Sequence, residues 1–333
     1  MVGVASAFEA VKGNRVHWSE RSRGSAKVRE CERDLCGNGP AFYPVGSTSP
    51  RKDQTMSTRT VVATVEAHRQ LEGAGFEVRR PFPTPRLSLV DPFLLLDEMG
   101  PVEVEPGQAK GAPDHPHRGF ETVTYMISGA SEHEDSAGNA GRIGPGAVQW
   151  MTAGSGVIHS EMPARELFTD GGRMHGFQLW VNLPAAHKMI APRYQEFSAE
   201  QIPTVSDDGV VVRIIAGAFG GVTGPVETHS PVTYLHASLP VGREIHVDVA
   251  DGETAMVYTF AGEGDGTLRI YDTEGDEIVL TNSASEPSEH LVLTGQALRE
   301  PVARYGPFVM NTSEEIETAI NDFQSGRFGA IVR

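Results

Sequence analysis

From Arg59 onward the chain is cut into short apolar runs that each stop at Gly, Pro, Asn or Asp. The runs include Leu94-Leu95-Leu96, Thr122 to Ile127, Phe177 to Val181, Val210 to Ile215, Val257 to Phe260 and His290 to Leu293. Turns this frequent leave no room for long helices, and predict an all-β fold of sandwich or barrel type. The 37 glycines and 22 prolines fit this reading because they are spread along the chain rather than clustered. One helical signal stands apart. Thr312-Ser313-Glu314-Glu315 is a capping box, with Thr312 as N-cap and Glu315 at N3. Ile316, Ala319, Ile320 and Phe323 follow at helical spacing, predicting an amphipathic C-terminal helix over 312–325 whose apolar face docks on the rest of the chain.

The first 55 residues have a different texture, rich in Gly, Ser, Arg and Asn, with no sustained period of 2 or 3.6. They carry nine Lys/Arg and six Asp/Glu, or +3, so the remainder of a chain at −16 carries −19. Both cysteines, Cys31 and Cys36, lie there too. Residues 1–56 are expected to be a disordered or dispensable leader, with Met56 as the functional start. The rest divides into two β units of similar size, 58–193 and 209–311, joined by a linker over 194–208 that holds Pro203 and Asp207-Asp208-Gly209. Tyr125-Met126-Ile127-Ser128-Gly129 and Tyr258-Thr259-Phe260-Ala261-Gly262 occupy comparable places in the two units, which hints at an internal duplication.

So acidic a main body repels phosphate backbones, which argues against direct nucleic-acid binding. No apolar run approaches the ~20 residues needed to cross a bilayer, and no signal-peptide h-region is present. With no cysteine after Cys36, the expectation is a cytoplasmic protein without disulfides, and a monomer because the terminal helix buries its own apolar face.

The chemistry is carried by two short segments. In Asp114-His115-Pro116-His117-Arg118-Gly119-Phe120-Glu121, strand alternation lets His115, His117 and Glu121 share a face. In Gly156-Val157-Ile158-His159-Ser160-Glu161, His159 and Glu161 again stand at i and i+2. Two such strands on opposite walls of a small barrel would surround one cation with imidazoles and a carboxylate. That donor set suits iron, manganese, nickel, copper or zinc, and lacks the thiolates of structural zinc. A single buried His is more often a core residue than a ligand, but two pairs bounded by Gly or Pro turns are hard to explain that way. His133, His175 and His187 have surface or hydrogen-bonding roles by default, His175 being placed to reach the pocket. His246 and Asp248 have no second pair to meet them.

The runs Leu89 to Leu95, Asp114 to Val123, Gln149 to Gly154, Gly156 to Pro163, Gln178 to Leu183 and Gly306 to Thr312 resemble the pirin family, and the resemblance extends from Thr58 to Phe328. It implies a bicupin, with iron in the N-terminal cupin and a C-terminal cupin that has lost its metal. A general cupin pattern would select Glu121 as carboxylate ligand. The pirin resemblance implies His115, His117, His159 and Glu161 instead, with Glu121 beside them, orienting a ligand imidazole or holding Arg118. It further implies an iron-dependent dioxygenase of quercetin 2,3-dioxygenase type acting on a flavonol-like substrate, with Glu161 as base. The alternative it implies is a metal- or redox-dependent regulator that binds a metabolic enzyme or a transcription factor.

Overall fold

A computed structural model describes residues 57–333; the leader, with Cys31 and Cys36, lies outside the described residues. Two seven-stranded antiparallel sheets dominate it. The first runs in the order Arg193–Phe197, Val148–Thr152, Phe120–Ser128, Gly172–Asn182, Phe93–Val104, Phe76–Phe82 and His68–Glu72. The second runs in the order Val61–Glu66, Thr267–Tyr271, Glu253–Ala261, Ser288–Gln296, Val232–Leu239, Val210–Ala216 and Thr204–Asp207. Place for place the two orders correspond, and Phe120–Ser128 and Glu253–Ala261, which carry the shared Tyr–Gly motif, fall at equivalent positions. A smaller sheet closes each barrel. In the first it is Ala112–His117, Val157–Pro163, Ser131–Asp135 and Ala140–Ile143; in the second, Glu244–Asp248 pairs with Glu277–Thr281. The all-β, two-cupin architecture read from the sequence is therefore present, and the alternation of apolar residues explains its layers.

The large sheets face one another across a core that includes Val123, Tyr125, Trp150, Phe177, Tyr234 and Tyr258. Each large apolar side chain buried this way contributes roughly 1.5–3 kcal/mol. Inside the second barrel, Ile214, Leu235, Val247, Val257, Ile278 and Val292 fill the space with apolar atoms.

The two units exchange their ends. Val61–Glu66, expected in the first unit, pairs with Thr267–Tyr271 of the second sheet. The expected linker is largely strand: Arg193–Phe197 completes the edge of the first sheet and Thr204–Asp207 that of the second. Each thus satisfies backbone groups that a free edge would leave open. The C-terminal helix Ser313–Gln324 forms with the capping box read from the sequence: Glu315 N–H donates to Thr312 Oγ1 at 3.2 Å and Thr312 N–H to Glu315 Oε2 at 3.0 Å. Its apolar face packs with Phe308, Met310, Phe328 and Ile158, on the barrel that holds the histidines. A second helix, Arg165–Asp170, has no strong sequence signal. Among the described residues no helix is long and apolar enough to cross a membrane.

Candidate metal centre

Ala112–His117 and Val157–Pro163 are antiparallel neighbours, with His159 opposite His115 and Val157 opposite His117. This register turns the two i, i+2 pairs toward one point. His115, His117 and His159 offer ring nitrogens that all lie within 4.8 Å of one another. Their ring centroids are 4.4–4.9 Å apart. His115 Nε2 and His159 Nε2 stand 2.9 Å apart, the spacing of two adjacent ligands on a six-coordinate ion with bonds of about 2.1 Å. The His115 Nδ1–H donates to the Pro113 carbonyl at 2.7 Å, which leaves Nε2 with its lone pair facing the other rings.

Burial makes these donors available. His117 and His159 are 2% and 0% exposed, and burial followed by the neighbouring imidazoles holds both well below the usual imidazole range. Burial also lowers His115, against the opposing pull of Glu161. Both nitrogens of His117 and Nδ1 of His159 are buried without a hydrogen-bond partner. Three converging imidazoles, two of them with unsatisfied buried nitrogens, fit a bound cation and would be costly without one. The sign of the pH effect follows. With folded pKa values below 6.5, the unfolded chain binds more protons as pH falls through 6.5, so metal-free stability declines on acidification in that window. Protons compete with a cation for these rings only below that same window. We expect zinc affinity, measured by competition with a chromophoric chelator, to be nearly flat from pH 8 to 6.5.

Glu161 stands beside the trio rather than within that set. Its Oε1 accepts from Thr124 Oγ1 at 2.7 Å and its Oε2 from Gln178 Nε2 at 2.9 Å. Thr124 and Gln178 sit on the central strands of the large sheet, with side chains on the barrel's inner face. Nothing in their residue type or spacing singled them out, because the barrel closure alone brings them to Glu161. Trp180 also faces this space, its ring 5.2 Å from His117 and 4.3 Å from Phe120. His115, His117, Glu161 and Trp180 open on one cavity of about 760 Å³.

Glu121 departs from its expected place. The chain turns at Gly119, with φ +88°, where a Cβ would lie 2.0 Å from the Val309 carbonyl oxygen. The turn starts a new strand, so alternation does not carry from His117 to Glu121. Glu121 therefore points with Val123 and Tyr125 between the two large sheets. There its Oε1 accepts from Thr152 at 2.6 Å and lies 4.0 Å from His229 Nε2, while burial pushes the acid up to about 7. It neither orients a candidate ligand nor holds Arg118. Arg118 instead donates from Nε to the Ser155 carbonyl at 2.7 Å, pairs with Asp322 at 2.8 Å and lies over Phe328, clamping the C-terminal helix to the barrel. His175 likewise misses the cavity: it bonds Glu98 at 2.8 Å and packs on Phe177 and Phe260 at the inter-sheet core. His133 is buried against Tyr194 and pairs with Glu196. His187 faces His229.

Two family models match this chain, Pirin over residues 75–181 and the Pirin C-terminal cupin domain over 234–329. Rattus norvegicus Pirin is 42% identical over 285 residues, covering 82% of this chain and 94% of the rat protein. The chain belongs to the pirin family. A pirin-like protein of Caulobacter vibrioides is also 42% identical, over 82% of this pirin and 100% of its own length. The crystal structure of a quercetin 2,3-dioxygenase from Acinetobacter baumannii superposes with a TM-score of 0.78 at 40% identity, covering 83% of this pirin and all of that chain. The matched segments leave out the exchanged strand Val61–Glu66 and the edge strands Arg193–Phe197 and Thr204–Asp207, and the first contains all three converging histidines.

Proposed function

We propose that this protein is an iron-dependent dioxygenase of quercetin 2,3-dioxygenase type, acting on a flavonol-like aromatic in the cavity of the first cupin. The observation that carries the reading is the convergence of His115, His117 and His159, the first two on the cavity wall and the third buried behind them. The 40% identity to a named quercetin 2,3-dioxygenase supports it. The three imidazoles, with Glu161 as a fourth ligand or as a free base, would hold the iron, whose contribution would be Lewis acidity toward substrate oxygens and redox chemistry with dioxygen.

The chain's own groups supply the rest. Glu161, fixed by Thr124 and Gln178, takes the hydroxyl proton of the arriving substrate. Trp180, backed by the buried Phe120, gives the cavity an apolar wall next to His117, against which an aromatic ring packs and from which it displaces water. Thr124 and Gln178 both donate to Glu161, so they hold it aimed at the arriving substrate.

Oxygen uptake decides the matter. Protein freshly loaded with Fe(II) should consume dioxygen with quercetin, and His117→Ala should reduce the rate by at least about 100-fold, the upper end of what even outer-layer metal mutations cost. No uptake by fully loaded protein would overturn the reading and turn attention to partners captured from its ferrous and ferric forms.

A further inference from the structure

Arg304 faces the cavity with no carboxylate in ion-pair contact, although Asp97 and Glu72 act on it through space. Arg304 lies on Ala303–Tyr305, a strand of the C-terminal segment that returns to the first barrel and pairs with Phe308–Met310. Its guanidinium lies 4.9 Å over the Trp180 ring, which in turn is 5.2 Å from His117, so one indole separates it from the candidate metal ligands. One N–H bond holds it, from Nη1 to the Leu94 carbonyl at 3.1 Å. Among the described residues no carboxylate forms an ion pair with it. Of the other cations on the cavity wall, Arg80 bonds Asp97 at 2.6 Å and pairs with Glu72 at 2.9 Å, while Lys110, like Arg304, meets a backbone carbonyl, that of Gly75 at 3.3 Å, but has no aromatic ring beneath it. Surrounding protein lowers Arg304 to about 10, so it remains a cation at neutral pH, and its exposed surface opens on the cavity.

A guanidinium held over an indole, with one backbone bond and no carboxylate in ion-pair contact, has donors left to receive an anion. We propose that Arg304 is the specificity-determining anchor of this cavity and that the ligand it selects is a flat aromatic acid. One end of that ligand presents oxygens to the histidine trio, the ring lies along Trp180, and an anionic oxygen at the other end pairs with Arg304. The proposal rests on the cavity being the substrate site, but not on the reaction performed there. It separates this chain's preferred ligand from a neutral flavonol by a charge, since the apolar wall treats both alike.

The test is binding rather than turnover, so it is read with redox-inert Zn²⁺ in the site. Calorimetric titration of the zinc-loaded protein would compare 6-hydroxy-2-naphthoate with its methyl ester. The acid should bind about tenfold tighter or more, as expected of one charge-assisted pair. Arg304→Gln should erase that preference by weakening the acid and leaving the ester unchanged, and Arg304→Lys should keep part of it. Equal binding of acid and ester by the wild type would overturn the proposal, as would no binding of either or a preference that survives Arg304→Gln. Failure of quercetin oxidation alongside a preserved, Arg304-dependent preference for the acid would remove the dioxygenase reading and leave the anchor standing.

Discussion

His159→Ala should lose tight metal binding, by more than about 100-fold in affinity, while the protein stays folded. His159 is the inner member of the trio. It is fully buried, faces His115 Nε2 at 2.9 Å, and packs against both other rings. Truncating it leaves His115 and His117 on a single strand, with no imidazole and only the Glu161 carboxylate from the neighbouring strand, which is adjacent in the sheet rather than on the opposite wall expected from the sequence. Two imidazoles from one side hold an ion in an open, easily hydrated arrangement, so the loss exceeds that of an ordinary contact. The apo fold suffers little because the ring's only hydrogen-bond partner is another ligand. Cobalt titration followed by visible spectra, beside a thermal melt of the metal-free variant, separates the two effects. Undiminished cobalt affinity would remove His159 from the site.

Glu98→Ala should produce the largest loss of stability. Glu98 is completely buried where the two large sheets meet, and four bonds end on its carboxylate. Arg79 donates from Nε at 2.9 Å and from Nη2 at 2.6 Å, His175 bonds at 2.8 Å, and Tyr258 Oη donates at 2.6 Å from the second cupin. Arg79 continues to Asp265 of the second cupin, with contacts at 2.9 Å. Burial, then the charge of Glu98, keeps the Tyr258 phenol protonated above its usual range. Removing the carboxylate strands an imidazole and a hydroxyl and leaves the Arg79 guanidinium with Asp265 alone, a change that costs about 3–5 kcal/mol. For a chain of this size that is a fall in melting temperature of roughly 10 °C. Arg69→Ala is the contrast: its pair with Glu77 is largely exposed, and its loss should cost less than about 1 kcal/mol. A Glu98→Ala melt within a degree or two of wild type would show that the network does not tie the cupins together.

Much of this was legible because it depends on period alone. Strand alternation puts His115 with His117 and His159 with Glu161, and short punctuated runs become the strands of two similar sheets. The terminal helix was readable from four residues, because a capping box is a local device. The rest depends on where the chain turns and which edges it completes. Gly119 resets the alternation, so Glu121 turns away from the histidines that it follows so closely in sequence. Val61–Glu66 and Arg193–Phe197 pair where an open edge needs a partner, which no local pattern reveals. Thr124, Gln178 and Arg304 reach the cavity only through barrel closure and the return of the C-terminal segment, so their residue types gave no warning. His175 pointed to the cavity by nearness in sequence, but the strand it sits on turns it to Glu98.

The metal centre itself is tested most directly by anomalous diffraction at the iron edge, from crystals of protein loaded with Fe(II) under anaerobic conditions. A single strong peak about 2.1 Å from the facing nitrogens of His115, His117 and His159 is the predicted result. A map with no peak there, or with iron bound elsewhere, would contradict the account.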